Sequence, residues 1–251
     1  MEPDVTETGR RLALGIGVAL LMTVFASTTH AALFADTFER PDGPDLGPLW
    51  VQQWPEWCLA GGTARSIETD RCSLMTVSDY EHPEPAVQAT VTYAGDPRLH
   101  YVALVVLYQD NEQCVFVKLQ DGYEGCAPDG LYDTAYFYLG NNSQVPWGDM
   151  AAGFDDWVDL WPYFSTATVA LAVVGDTVSL AVDRDLDGDF LGPNDSLYAR
   201  GGLPLDDLGL GIGVGGYDGA CVDDFYAMPE PATATLLVLG TVGWAVARRK
   251  R

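Results

Sequence analysis

The chain has 251 residues, 36 of them acidic and 13 basic, for a net charge of −23. A surface this acidic repels nucleic acid and anionic lipid, which excludes nucleic-acid binding, and it raises the local concentration of cations, with calcium the obvious candidate. The 27 glycines and 15 prolines, without a long amphipathic helix in the body, argue against a helical bundle and for many short strands joined by turns.

In chain order, Arg10 and Arg11 precede an apolar run from Leu12 to Phe25. That is a cationic n-region and an h-region of secretory length, too short to span a bilayer, which takes ~20 apolar residues. Thr29-His30-Ala31 fits the small-x-small cleavage rule, so residues 1–31 are expected to be a signal helix removed by signal peptidase. Residues 32–228 then form one domain of ordinary size, carrying all five cysteines into an oxidising compartment. Cys58 with Cys72 and Cys114 with Cys126 would each close a short loop, and the spacing leaves the pairing open. C-x-x-C spacing does not occur, which argues against zinc or thiol redox chemistry.

The body opens on Leu33-Phe34-Ala35-Asp36-Thr37-Phe38-Glu39-Arg40-Pro41-Asp42-Gly43, with Trp50 shortly after. Trp54-Pro55-Glu56-Trp57 follows and reads as loop. From Ala86 to Tyr93, the apolar Val87, Ala89, Val91 and Tyr93 alternate with Gln88, Thr90 and Thr92, the period-two pattern of a half-buried strand. Tyr101–Tyr108 and Cys114–Gln120, with Asp110-Asn111 between, predict a hairpin. The segment from Trp157 to Tyr163 reads as loop. Ala167–Val174 and Thr177–Val182, separated only by Gly175-Asp176, predict a second and tighter hairpin.

Immediately after it comes Asp183-Arg184-Asp185-Leu186-Asp187-Gly188-Asp189. Carboxylates at alternate positions around a turn glycine suit Ca²⁺, which takes six to eight oxygen ligands. Asp183, Asp185, Asp187 and Asp189 are the expected ligands, with Asn194 or Asp195 closing the shell. An EF-hand is excluded, because no helix flanks the loop and Asn194 stands where a bidentate Glu is required. Trp54, Trp57, Trp157 and Trp161 are the candidate sugar-stacking residues, their rings suited to the apolar face of a pyranose.

Leu210–Val214, a glycine turn, and Cys221-Val222-Asp223-Asp224-Phe225-Tyr226-Ala227 close the body. Gly211-x-Gly213-x-x-Gly216 matches a dinucleotide fingerprint as a string, but without a βαβ context it reads as strand and turn glycine. Together with the opening segment, these closing strands resemble concanavalin A-like (laminin-G-like) jelly rolls. The resemblance implies an all-β jelly-roll sandwich in which the aspartate-rich closing strand lies beside the first. That fold hosts both sugar-binding modules and endoglucanases, so function has to come from the site. Its retaining hydrolases carry E-x-D-x-x-E on one strand; Glu68-x-Asp70 begins that pattern, and Ser73 stands where the second glutamate belongs. His82 and His100 lack metal-ligand spacing and do not support a Ser-His-Asp arrangement.

The chain ends with Pro229-Glu230-Pro231, an apolar stretch from Ala232 to Ala247, and Arg248-Arg249-Lys250-Arg251. At ~1.5 Å per residue the stretch reaches ~24 Å against a ~30 Å hydrocarbon core, and the terminal cations favour the cytoplasmic side. This three-part tail, residues 229–251, resembles the PEP-CTERM sorting signal, which implies a transmembrane sorting helix handled by an exosortase-type protease. The same tripeptide at Pro83-Glu84-Pro85 has no such sequel. The expectation is therefore an exported cell-surface or extracellular-matrix protein that binds carbohydrate, such as extracellular polysaccharide, with calcium and is not an enzyme. The alternatives are a purely structural matrix protein and, further off, a glycoside hydrolase.

Overall fold

The computed structural model describes residues 34–54, 57–67, 73–94, 101–110, 113–121, 129–140, 156–190, 192–217 and 219–228. The predicted leader and sorting tail, and with them Glu68, Asp70, Cys72, His100 and Cys126, lie outside the described residues. Among those described, no helix is long and apolar enough to cross a membrane.

The elements are strands: β1 (Phe34–Asp36), β2 (Trp50–Trp54), β3 (Trp57–Ala60), β4 (Thr63–Ser66), β5 (Ser73–Val77), β6 (Ala86–Thr92), β7 (Tyr101–Asp110), β8 (Gln113–Gln120), β9 (Tyr132–Gly140), β10 (Asp156–Phe164), β11 (Thr166–Val174), β12 (Thr177–Asp183), β13 (Ser196–Arg200), β14 (Gly211–Tyr217) and β15 (Cys221–Met228). They form two antiparallel sheets. One runs β13-β12-β11-β6-β15-β4-β3, with β1 also on β15; the other runs β10-β9-β8-β7-β14-β5-β2. The expected all-β sandwich is what the chain forms.

Period-two patterning explains the layers. Val87, Ala89 and Val91 of β6, Val169, Leu171 and Val173 of β11, and Val178, Leu180 and Val182 of β12 face Val102, Leu104 and Val106 of β7 and Ile212 and Val214 of β14 across one core. The second hairpin pairs Val174 with Thr177 across Gly175-Asp176. Its tight turn requires a left-handed residue, supplied by Gly175 at φ +57°. As expected for the closing strand, Phe34, Ala35 and Asp36 pair with Ala227, Tyr226 and Phe225.

That junction explains the opening motif. Asp36, only 8% exposed, accepts from the Phe38 N–H at 2.9 Å, from Arg40 Nη1 and Nη2 at 2.5 and 3.0 Å, and from Trp50 Nε1 at 2.8 Å. Arg40 Nη2 also reaches the Leu46 carbonyl. Phe34, Phe38 and Phe225 pack around Trp50 with ring centroids 5.2 to 5.8 Å away. Burial would raise the Asp36 carboxyl, but these donors outweigh it and hold the group below the usual carboxylate range.

Three sequence expectations need correction. Trp54 and Trp57, expected in loop, end β2 and open β3. Trp157–Tyr163 is strand β10 rather than loop. Leu160 and Phe164 point inward at 0% and 5% exposure while Trp157, Trp161 and Tyr163 point out; Pro162 obscures the alternation and confines the strand to a sheet edge, where β10 lies. Cys58, Cys114 and Cys221 are free thiols. Cys114, 1% exposed, packs with Phe116 and Tyr138 on the outer face of its sheet, which makes it a packing residue rather than a visible half of a disulfide.

Candidate functional site

The acidic loop leaves β12 at Asp183 and returns as β13 at Ser196. Asp183 is fully buried and accepts from the Leu186 N–H at 2.7 Å and the Gly188 N–H at 3.1 Å, which curls the loop around it. The curl brings a carboxylate oxygen from each of Asp183, Asp185 and Asp187 within 4.8 Å of one another. Oxygens bound to one Ca²⁺ at ~2.4 Å lie at most ~4.8 Å apart, so this donor set fits a hard divalent cation in both chemistry and spacing. Burial pushes the Asp183 carboxyl above its ordinary value, and the neighbouring charge of Asp195 and contact with Asp185 add to this against the two backbone donors. A cation there would favour the ionised form.

The other two expected ligands stand differently. Asp189 is outside the converging group; its N–H donates to Asp187 Oδ1 at 2.9 Å. Asn194 is exposed, and its backbone carbonyl accepts from Arg184 Nη1 at 2.5 Å. Asp195 is likewise outside the converging group. Its carboxylate accepts from the Arg184 N–H at 3.2 Å and the Gly192 N–H at 2.6 Å. A Cβ built on Gly192 would lie 2.8 Å from Asp195 Oδ2 and 3.5 Å from Asp185 Oδ2, so both carboxylates border that glycine.

Arg184, inside the acidic run, points away from it. Its Nε donates to the Pro162 carbonyl at 2.7 Å, Nη2 to the Leu160 carbonyl at 2.6 Å, and Nη1 also to Ser196 Oγ at 2.9 Å. These carbonyls are available because β10 departs from its ladder with β9 between Asp159 and Phe164. The Tyr198 hydroxyl donates to the Asp159 carbonyl at 2.8 Å, so β13 grips the same strand. Edge strands of the two sheets are thereby tied together beside the acidic loop.

The bound stretch of β10 carries the exposed rings. Trp161 is 70% exposed and meets Tyr163 edge-on at 5.2 Å, and Trp157 is 43% exposed on the same face. The other two candidate tryptophans are placed otherwise. Trp57 is 0% exposed and lies beneath Gly216, so its ring is closed to any ligand. Trp54 is half-buried against the outer cluster that includes Leu74 and Phe116. Ser73, at the position where a second catalytic glutamate would stand, is a buried bridge to Ser66 Oγ and the Gly216 carbonyl. Arg184 is the site residue that sequence patterning missed, since its partners on β10 lie on a distant strand of the other sheet.

No protein-family model and no curated protein matches the chain. Solved structures do match its fold. The CBM2 module of the evolved Dit of Lactobacillus casei BL23 phage J-1 superposes with a TM-score of 0.51 at 12% identity, over 78% of this chain and 94% of that one. The metal-free VIP36 exoplasmic/lumenal domain gives 0.50 at 13% identity, over 73% and 85%. The potassium-bound carbohydrate recognition domain of Emp46p gives 0.50 at 9% identity, over 72% and 88%. At these identities the likeness is one of fold alone, a sandwich of two antiparallel sheets.

Proposed function

We propose that this chain is an exported, non-catalytic surface or matrix protein with a concanavalin A-like body, which binds carbohydrate at the acidic loop and β10 with calcium as cofactor. One observation carries the reading. Arg184, inside the acidic run, donates to the Leu160 and Pro162 carbonyls, which joins the loop of the three convergent carboxylates to the strand carrying the exposed Trp161–Tyr163 rings. Calcium would be held by Asp183, Asp185 and Asp187, and its chemistry is to draw sugar hydroxyls and carboxylates into its coordination shell. Trp161 offers a flat apolar face to a pyranose ring. Support also comes from the shared fold of Emp46p, whose matched domain is a carbohydrate recognition domain. The leader and the PEP-CTERM-like tail would deliver the body, by signal peptidase and an exosortase-type protease, to the cell surface.

The test titrates the full chain with a glycan panel, including polysaccharide from the producing cells, with calcium and with chelator. Calcium alone is expected to raise the melting temperature, with a stabilisation of about 2.7 kcal/mol at a hundredfold excess over its Kd. Asp185→Asn with Asp187→Asn should abolish that shift. Saturable glycan binding should have a component that chelation removes and that Trp161→Ala weakens about tenfold, the ~1.4 kcal/mol of one ring stack. Calcium stabilisation without any chelation-sensitive glycan binding would instead leave a structural matrix protein with a stabilising ion.

A further inference from the structure

Arg184 follows Asp183 and precedes Asp185, two of the three convergent carboxylates. A guanidinium among aspartates ordinarily takes a charge-assisted, bidentate pair with one of them. Here its four hydrogen bonds go to neutral oxygens, the carbonyls of Leu160, Pro162 and Asn194 and the Ser196 hydroxyl. The Leu160 and Pro162 carbonyls lie two residues apart along β10, and the fork meets both at once, through Nη2 at 2.6 Å and Nε at 2.7 Å. The guanidinium carbon also stands over the Phe164 ring, 5.4 Å from its centroid. A planar fork makes this set of contacts, and the point charge of a lysine cannot.

The gripped stretch is the part of β10 that leaves its ladder with β9, between Asp159 and Phe164. Its position therefore depends on bonds from the other sheet. Trp161 lies between the two gripped residues, and its own N–H donates to Asp159 Oδ1 at 3.0 Å. At the opposite end of the arginine, the Arg184 N–H donates to Asp195 Oδ1 at 3.2 Å. One residue thus has its backbone in the acidic loop and its side chain on the strand that carries the most exposed ring, Trp161 at 70%.

We infer that Arg184 is a positioning residue that couples the two halves of this site. A cation held by Asp183, Asp185 and Asp187 fixes the backbone on both sides of Arg184, the fork fixes the 160–162 stretch, and the Trp161 face is held ready for a sugar. The inference rests on the reading of this site as a calcium-dependent sugar site and adds how that site is regulated. Coupling between two sites is reciprocal, so a bound sugar tightens calcium by the factor by which calcium tightens the sugar. The positive charge of Arg184 itself opposes a cation nearby. Charge and positioning therefore predict opposite effects when the guanidinium is removed.

The experiment titrates the full chain with calcium alone, by calorimetry, for the wild type, Arg184→Met and Arg184→Lys. In parallel, NMR follows the indole N–H resonance of Trp161, assigned with Trp161→Phe. Arg184→Met is expected to weaken calcium binding about tenfold although it removes a positive charge, and Arg184→Lys, which keeps the charge and loses the fork, to weaken it as much. In the wild type the Trp161 resonance should shift as calcium is added; in both variants it should stay in place even at saturating calcium. Tighter calcium binding by Arg184→Met, or a wild-type Trp161 resonance that ignores bound calcium, would overturn the coupling and leave the calcium site standing. The second of these is read on the wild type, so it decides the matter even where a variant does not fold. A wild type that binds no calcium would overturn the coupling together with the reading it rests on.

Discussion

Replacing Gly213 by alanine is expected to cost about 4 kcal/mol or more and to leave little folded protein at 37 °C. β14 lies inside its sheet, paired with β5 on one side and β7 on the other. A Cβ at Gly213 would stand 2.2 Å from the Met75 carbonyl oxygen and 3.1 Å from Thr76 Cα. Those atoms are backbone of a paired strand, so no rotamer change relieves the overlap and the β14–β5 ladder must open. Gly43→Ala is the control, because its nearest contact is an ordinary 3.9 Å from the Pro41 oxygen; it should stay within ~0.5 kcal/mol of the wild type. Urea unfolding of both variants checks the difference. An intact Gly213→Ala domain of wild-type stability would show that the two strands do not approach this closely.

Asp36→Ala is expected to destabilise the fold by about 3 kcal/mol, since it leaves the Arg40 guanidinium, the Trp50 indole N–H and the Phe38 N–H without their shared acceptor. In a domain of this size that is a fall of roughly 10 °C in melting temperature. Asp36→Asn keeps the volume but turns an amide donor toward Arg40, so it should recover only part of the loss. The pH dependence has a definite sign. The folded carboxyl lies below its unfolded value, so the native state gains stability from its ionised form above the ordinary aspartate value of ~3.9, and loses it as pH falls through the lower folded value. The melting-temperature gap between wild type and Asp36→Asn should therefore be full at neutral pH and narrow below about pH 4. A gap that stays constant through that range would show that Asp36 is not held ionised by these donors.

These two predictions concern positions whose sequence signal was visible but whose reason was not. The opening Phe34–Arg40 segment with Trp50 was recognisable as a pattern, yet only the pairing of β1 with β15 shows that Asp36 collects four donors there. Gly213 belongs to a string that also resembles a dinucleotide fingerprint. Its actual requirement is a backbone passing too close for any side chain.

The sequence by itself determined the class of fold, both principal hairpins, and the local convergence of Asp183, Asp185 and Asp187. In each case the physics is short-range: alternation places a side chain on a face, a two-residue turn sets register, and carboxylates two apart in a tight loop meet without help from the rest of the chain. Tertiary structure alone decided everything that needed a distant strand. It buried Trp57 while leaving Trp161 exposed, although both are tryptophans in aromatic, proline-bearing segments. It sent Arg184 across to the other sheet. It also left the Tyr80 hydroxyl buried without a hydrogen-bond partner. Burial and partner choice are sums over all neighbours in space, and in an antiparallel sandwich most of those neighbours are dozens of residues away along the chain.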